Sequence, residues 1–333
     1  MNSSLNLLKS NVSKTDVVHM NILHIWDQAG VACILAKYQE LSGHKSKVIV
    51  TKTRDKFGIY SFYHQYTQTI DPRLFIDTCL KEAETADVLH IHGRIDMLFR
   101  LHKKFGRSKK LVLHYHGTDL RGLKKRQKEE LPHRSLPSDL IIFAKRLVRR
   151  PYYKIMRRRI HARAQKLADA VIVATPDLLQ FAENAIHLPN PIDTDHFKPL
   201  NNMKCNNYQQ QVKILTINNE AIDMELVLSY CRKNGLNSSV EVYDRMNNPI
   251  MYSDMPNFLR NYDIYLDVRF INRQLIEGMS KTALESLACG LSVIDHQLNR
   301  QKGLPPEHDP IYIVSRLSNI YNEAGLVRTT EAV

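Results

Sequence analysis

Short apolar runs alternate with helix-like segments along the first 200 residues. Runs suited to buried strands occupy 17–25, 46–51, 88–91, 111–115 and 170–174. Helical spacing of apolar residues occupies 32–41, 72–84, 97–104 and 140–166, where Pro151 is expected to kink the last segment. This alternation is typical of a parallel sheet covered by helices on both faces. The first part of the chain is therefore predicted to be a doubly wound α/β domain.

A second alternating series follows an Asn-, Pro- and Asp-rich passage at 189–211, which is typical of a linker. Strands are predicted at 213–217, 240–243, 264–268 and 291–295, and helices at 224–233, 254–260, 281–288 and 314–323. We expect an N-terminal domain at 1–198, a C-terminal domain at 199–310, and a closing helix and tail at 311–333. Two doubly wound halves leave a cleft at the carboxyl ends of their strands, where ligands bind.

The composition is that of a soluble globular protein. Of the 333 residues, 43% are hydrophobic and 24% are charged. No apolar run is long enough for a membrane span, and the polar start MNSSLNLLKSNVSKTD does not have the pattern of a signal peptide. We therefore expect a cytoplasmic protein.

Positive charge is concentrated in one segment. Residues 121–163 contain 15 Lys and Arg against three acidic residues, which accounts for nearly all of the net charge of +13. Anionic lipid and nucleic acid are the two partners that such a segment favours. A solvated helical face is the simpler alternative.

The most informative candidate site residues are in the run EGMSKTALESLACGLSVI, where seven residues separate Glu277 from Glu285. Ser280 is a favourable N-cap, so a helix is expected from Lys281. Its first turn, with Lys281 and Thr282, offers free backbone N–H groups and a positive charge to phosphate oxygens. Carboxylates that flank an anion site suggest a ligand with phosphates between two polyols, as in a nucleotide sugar. An ordinary helix start with solvated acids is the alternative.

Several motifs in order give the chain a resemblance to the GT-B glycosyltransferases, specifically the retaining group known as family 4. They are the turn DQAG after the first strand, ADVLHIHG, LHYHGTD, ADAVIVATPDLL, LPNPIDTDHFKP, MPNFLRNYDIYLDV and the Glu-x7-Glu run. The resemblance covers about residues 21–294. It implies two Rossmann-like doubly wound domains that face an interdomain cleft.

The resemblance also implies roles for particular residues. Glu277 matches an acid near the donor sugar and the reacting centre, and Glu285 matches an acid that binds the nucleotide ribose. Gly30 matches a small residue that lets the backbone approach the diphosphate. His116 matches a histidine beside the donor sugar, and Asp119 is expected to orient its loop. Such enzymes generally need no metal, because cationic side chains and helix dipoles stabilise the leaving diphosphate.

The chain departs from the family at one important position. Family members usually have an Arg and a Lys just after the first strand of the second domain, where both bind the diphosphate. The corresponding text here is TINNEAIDME, which contains neither. We expect Arg269, Arg273 and Lys281 to take over this contact. A degenerate member without catalysis is the alternative.

Histidines raise the question of a metal. His90 and His92 alternate on one strand and so share a face, as do His114 and His116. No carboxylate or thiol is obviously placed beside them, and the five cysteines form no CxxC pair. We therefore predict no metal site and interpret these histidines as partly buried or acceptor-site residues.

The predicted activity is transfer of a sugar, with retention, from a UDP- or GDP-linked donor to a lipid-linked or glycolipid acceptor. No cofactor is expected beyond the nucleotide sugar. The basic segment 121–163 would bind the enzyme to the anionic inner face of the cell membrane. Two alternatives remain: a non-catalytic GT-B scaffold, and a nucleic-acid-binding protein that uses the same segment. Aromatic residues for base stacking are sparse there, which disfavours nucleic acid.

Overall fold

A computed structural model provides the coordinates. It describes residues 19–121, 156–182, 184–200, 212–218, 222–236, 238–271 and 273–324. Most of the basic segment, including 122–155, therefore lies outside the described residues.

The first half is built on a seven-stranded sheet, and every pairing in it is parallel. The strands are β1 (Asn21–Ile25), β2 (Lys45–Thr51), β3 (Thr67–Ile70), β4 (Val88–His92), β5 (Lys110–Tyr115), β6 (Ala170–Val173) and β7 (Ile186–His187). Their order in space is β3-β2-β1-β4-β5-β6-β7. The order reverses direction beside β1, and ligands bind at such a point in doubly wound sheets.

Helices connect these strands. They are α1 (Val31–Leu41), α2 (Ile59–Phe62), α3 (Phe75–Glu82), α4 (Ile95–Phe105), α5 (Thr118–Arg121) and α6, described over 156–167. All five residues of β4 are buried, because helices cover both faces of the sheet. The predicted helix 140–166 is confirmed only over its described part.

The second half has a smaller sheet of order β14-β13-β10-β8-β9, and a separate two-stranded hairpin pairs β11 with β12. Its strands are β8 (Ile214–Asn218), β9 (Val240–Asp244), β10 (Ile264–Leu266), β11 (Phe270–Ile271), β12 (Gln274–Leu275), β13 (Ser292–Ile294) and β14 (Arg300–Lys302). Its helices are α7 (Met224–Lys233), α8 (Met255–Leu259), α9 (Lys281–Ala288) and α10 (Pro310–Glu323). The sheet is parallel except for the antiparallel edge strand β14.

One apolar cluster joins the two halves. It contains buried residues of α1 and β2 from the first half together with residues of α9, β13 and α10 from the second. Helix α10 begins where Asp309 accepts hydrogen bonds from the backbone N–H groups of Ile311 and Tyr312, and it then packs along α1. The closing helix of the chain therefore lies against the first half, and the predicted domain boundaries stay a prediction.

Candidate functional site between the two sheets

A cavity of about 270 Å³ lies between the two halves. Its walls include the loop after β1, the segment before α2, the residue after β9 and the first turns of α9. The lining residues are Asp27, Gln28, Ala29, Arg54, Asp55, Phe57, Ile59, Tyr60, Arg245, Tyr252, Met255, Lys281, Thr282 and Glu285. The sequence-predicted residues Lys281, Thr282 and Glu285 are thus brought together in one cavity.

The start of α9 is formed as its sequence predicts. The Ser280 hydroxyl accepts a hydrogen bond from the Ala283 backbone N–H at 3.1 Å, and the helix runs from Lys281 to Ala288. Asp267 holds the loop before the helix, because its carboxylate accepts from the Ser280 N–H at 2.7 Å. This arrangement aims the amino end of α9 at the other half of the molecule.

Lys281 connects the two halves directly. Its ammonium group donates to the carbonyl oxygen of Ala29 and lies 3.5 Å from a carboxylate oxygen of Glu285. Glu285 is only 5% exposed. Burial raises the pKa of this carboxyl group, while the nearby charges of Lys281 and Arg245 oppose the shift. A buried carboxylate beside two cations can accept hydrogen bonds from ligand hydroxyls.

Arg245 lines the cavity but was not predicted as a site residue from the sequence. It follows β9 directly, and its guanidinium carbon lies 4.1 Å from the ring centroid of Phe57, a cation–π contact between the halves. Burial lowers the pKa of Arg245. Its Nε is enclosed and has no hydrogen-bond partner among the described residues. A half-buried arginine whose Nε donor has no partner is suited to an anionic ligand. The surrounding sequence DRMNN contains no motif that predicts a ligand-binding residue at this position.

Gly30 lies where the first half of the molecule approaches Lys281 of the second half. Its φ of +82° is in the left-handed region, and a Cβ atom there would come within 3.1 Å of Lys281 Nζ and 3.2 Å of Ile59 Cγ2. The backbone N–H of Gly30 donates to the carboxylate of Asp27 at 2.7 Å, and so does that of Ala32. The backbone approach at Gly30 is therefore to Lys281, and its expected approach to a diphosphate stays a prediction.

Glu277 lies apart from this cavity. It is exposed and lines a second cavity of about 580 Å³ together with Arg121, Asp177 and Phe181 of the first half. The arginine there is fixed, because Arg121 Nε donates to Asp177 Oδ2 at 2.6 Å. The two glutamates of the predicted pair thus line different cavities.

The two arginines predicted to contact the diphosphate also lie outside the first cavity. Arg269 donates to the carbonyl oxygen of Gly278 at 2.5 Å, and its Nε lies 3.2 Å from Asp267. Arg273 is exposed in the turn between β11 and β12, with a φ of +65°. Among the cations of the described chain, Arg54, Arg245 and Lys281 line the first cavity instead.

His116 belongs to a cluster of five imidazoles, in which neighbouring rings are stacked or tilted against one another. We call His24, His90, His92, His114 and His116 the histidine ladder. Register explains it, since β1, β4 and β5 are neighbours and place His24 beside His90 and His92 beside His114. The neighbouring rings lie 4.2 to 5.3 Å apart. Burial lowers the pKa of every ladder histidine, so the rings are neutral near pH 7.

Two trios in the ladder have ring nitrogens close enough together to be weighed as metal ligands. They are His24, His90 and His92, and His92, His114 and His116. However, most of these nitrogens hydrogen-bond one another, at 2.8 to 3.1 Å. The absence of a resident metal stays a prediction.

A basic groove borders the second cavity. It has a volume of about 490 Å³ and is lined by Leu120, Arg121, Arg157, Arg158, His161, Ala162, Gln180 and Phe181. Phe181 is 40% exposed. Cations and an exposed aromatic ring thus lie side by side. Within the described ranges, no helix combines the length and apolar character needed to cross a bilayer.

Comparison with known proteins identifies the fold. No family model and no curated protein matches the sequence. An α-glucosyltransferase solved in complex with UDP and a 13-mer DNA matches over 92% of this chain and 94% of its own, with a TM-score of 0.50 and 13% identity. Its likeness, together with the two facing sheets, confirms the predicted GT-B fold of two Rossmann-like domains.

Two further glycosyltransferases are similar at lower scores. Sucrose-phosphate synthase from Thermosynechococcus elongatus matches 93% of this chain and 92% of its own, with a TM-score of 0.47 and 14% identity. MurG from Acinetobacter baumannii matches over 94% of this chain and 91% of its own, with a TM-score of 0.38 and 10% identity. At these identities the likeness is one of fold.

Proposed function

We propose that the protein is a retaining glycosyltransferase of the family 4 type, which transfers a sugar from a UDP- or GDP-linked donor to a hydroxyl group. The cavity between the sheets is the observation that carries this proposal. It combines Arg54, Arg245 and Lys281 with the buried carboxylate of Glu285. Cations suit the phosphates of a nucleotide sugar, and the carboxylate suits its ribose hydroxyls.

The residues that bind the diphosphate in the proposed donor site are not those of the family pattern. Arg245 follows the second strand of its sheet, whereas the usual Arg and Lys follow the first strand. Phe57 supports its guanidinium plane, so less side-chain entropy is lost when phosphate binds. Arg245 and Lys281 would then stabilise the charge that develops on the leaving diphosphate. No metal is required for that step.

The proposed mechanism uses the leaving group as the base. The acceptor hydroxyl approaches the face of the sugar that the diphosphate leaves, and a phosphate oxygen takes the hydroxyl proton as the new glycosidic bond forms. The configuration at the anomeric carbon is therefore retained. Glu277 would position the donor sugar from the second cavity, which Arg121 of the first half also lines.

Binding of nucleoside diphosphates tests the donor site. We expect UDP or GDP to bind the wild type, measured by calorimetry and thermal shift. Arg245→Gln should weaken this affinity by about tenfold to a hundredfold, the typical loss of a charge-assisted hydrogen bond. Arg273→Gln is the matched control, because Arg273 is exposed and outside the cavity. Equal affinities in both variants would contradict the assignment of Arg245.

We further propose a lipid-linked or glycolipid acceptor at the anionic inner face of the cell membrane, with the protein cytoplasmic and peripherally bound. The basic groove supports this, since Arg121, Arg157 and Arg158 lie beside exposed Phe181. These side chains suit an amphiphile with an anionic group. Residues 122–155 of the basic segment lie outside the described residues.

Vesicle co-sedimentation tests the membrane proposal. We expect binding to vesicles rich in phosphatidylglycerol, little binding to phosphatidylcholine alone, and release by high salt. Replacement of Arg157 and Arg158 by Gln should reduce the bound fraction. Tight binding to duplex or single-stranded nucleic acid, with indifference to anionic vesicles, would instead favour the nucleic-acid alternative.

A further inference from the structure

Trp26, the only tryptophan of the chain, directly follows β1. Its half-buried ring packs edge-on against the buried ring of Phe75, with the two centroids 5.5 Å apart. Its backbone N–H donates to the Ile49 carbonyl oxygen at 2.9 Å. The φ of Trp26 is +76°, in the left-handed region that bulky residues rarely adopt. Such a conformation persists where the surroundings fix it, and it is frequent at ligand sites.

Two arginines lie over the ring of Trp26. The guanidinium carbon of Arg54 is 4.6 Å from the ring centroid, and that of Arg94 is 4.7 Å from it. Arg94 is already paired, because its Nε and Nη2 donate to the two carboxylate oxygens of Asp96 at 2.7 Å each. Arg94 therefore supports the indole while Asp96 balances its charge.

Arg54 has no hydrogen bond or ion pair among the described residues. It ends the short turn Lys52–Arg54 that follows β2. The adjacent carboxylate of Asp55 is occupied, since it accepts from the Tyr60 N–H and from the N–H and hydroxyl of Ser61 at 2.7 to 2.9 Å. The contact with the indole uses the face of the Arg54 guanidinium, so the N–H groups at its edge stay available to a ligand.

The free guanidinium of Arg54 lines the cavity between the two sheets. It belongs to the first half, whereas Arg245 and Lys281 line the same cavity from the second half. Trp26 and Arg54 follow β1 and β2, which are parallel neighbours, so both residues lie at the carboxyl edge of the sheet where ligands bind. Cations of both halves thus surround one space.

We infer that Arg54 binds the donor diphosphate from the first half, and that Trp26 is the positioning residue that holds the Arg54 guanidinium at the cavity. This inference rests on the proposed function for the identity of the ligand. The diphosphate then bridges the halves, with Arg54 on one side and Arg245 and Lys281 on the other. A guanidinium that is already stacked loses less side-chain entropy when it binds phosphate.

Calorimetry with UDP, GDP and inorganic pyrophosphate tests the phosphate contact. Arg54→Gln should weaken the affinity for pyrophosphate, and for the nucleoside diphosphate that the wild type binds, by about tenfold. Lys52→Gln is the matched control, because Lys52 is an exposed cation of the same turn that does not line the cavity. It should leave these affinities unchanged. Wild-type affinity in Arg54→Gln, or an equal loss in both variants, would overturn the inference.

A double-mutant cycle tests whether Trp26 acts through Arg54. Trp26→Leu should weaken the affinity by about threefold, the typical effect of an exposed cation–π contact, and Trp26→Phe should restore most of this loss. In the Arg54→Gln background, Trp26→Leu should cause no further loss, because the ring has no guanidinium left to position. The same loss in both backgrounds would show a purely structural effect and would overturn the positioning role.

Fluorescence tests the stack without any ligand, because all tryptophan emission comes from Trp26. Quenching by acrylamide should increase in Arg54→Gln, since this substitution uncovers the ring. It should stay at the wild-type level in Lys52→Gln. Unchanged quenching in Arg54→Gln would overturn the inference, because the stack would then not shield the ring in solution.

Failure of this inference can be told apart from failure of the proposed function. If UDP or GDP binds the wild type and Arg54→Gln equally, only the role of Arg54 fails, since Arg245→Gln tests the donor site independently. If neither nucleotide binds but pyrophosphate binds and depends on Arg54, the proposed function fails and the phosphate contact stands. No binding of any of the three ligands by the wild type would overturn both.

Discussion

Glu285 and Glu277 show how the surroundings of a residue separate two identical side chains. Glu285 is 5% exposed and lies near Lys281 and Arg245, whereas Glu277 is exposed to solvent. Sequence spacing suggested one shared site for the pair. The side chains diverge because Glu277 belongs to the loop before the Ser280 cap and Glu285 to the second turn of the buried helix α9.

Substitution of each glutamate tests this difference. We expect Glu285→Gln to remove the thermal shift caused by UDP or GDP, because the cavity loses the carboxylate that would accept the ribose hydroxyls. Glu277→Gln should retain most of that shift but lose turnover, since its proposed contact is to the sugar. Undiminished activity in both variants would contradict these roles.

At the scale of elements, the apolar pattern predicted the central strands and most helices well. Helices α1, α7 and α9 lie within a residue of their predicted bounds. Strands β3, β7 and β14 were missed, because edge strands of two to four residues bury too little to leave a pattern. Helix α10 begins four residues before its predicted start, since Asp309 and Pro310 form its cap and first turn.

The cap of α9 gives a prediction for one element. Ser280→Ala removes the acceptor for the Ala283 N–H, which should lower the free energy of unfolding by about 1 kcal/mol. Ser280→Asp retains an acceptor and should restore most of the loss. Urea unfolding of the three proteins measures the effect, and equal stability of the alanine variant and the wild type would contradict the role of the cap.

At the scale of the whole molecule, polar contacts in the core hold the last helix against the first sheet. The Tyr321 hydroxyl of α10 bonds His90 and also accepts from Gln39 Nε2 at 3.2 Å. Lys110 adds a bond of 2.8 Å to the Tyr321 carbonyl oxygen. The two halves are thus connected both through the cleft and through a buried histidine network, which requires neutral rings.

Stability should therefore fall in mild acid. Burial lowers the pKa of His24 from 6.5 to about 4, and those of the other ladder histidines also fall. Between the lowered pKa values and 6.5, the unfolded chain binds more protons than the folded protein. The stabilisation that the neutral histidines give the folded protein is therefore complete above about pH 6.5 and is lost as pH falls toward 4. His24 alone lowers the free energy of unfolding by about 2 kcal/mol when the pH falls from about 7.5 to about 5.

Urea unfolding across this pH range checks the prediction. Burial raises the pKa of Asp27, Asp267 and Glu285, which gives the opposite slope. We expect the histidines to dominate, because they are more numerous and titrate in the unfolded chain over this range. His24→Gln should reduce the pH dependence, and an unchanged dependence in that variant would contradict the role of the ladder.

The sequence by itself determined the two series of parallel strands, the helix that Ser280 caps, and the presence of Lys281, Thr282 and Glu285 at its start. These features follow from local propensity and from the periodicity of buried positions. Only the tertiary structure placed Arg245 over Phe57 and brought His24 beside the histidines of β4 and β5. Strand order, register and the packing of α10 decide such contacts, and they depend on residues far apart in the chain, which no local pattern records.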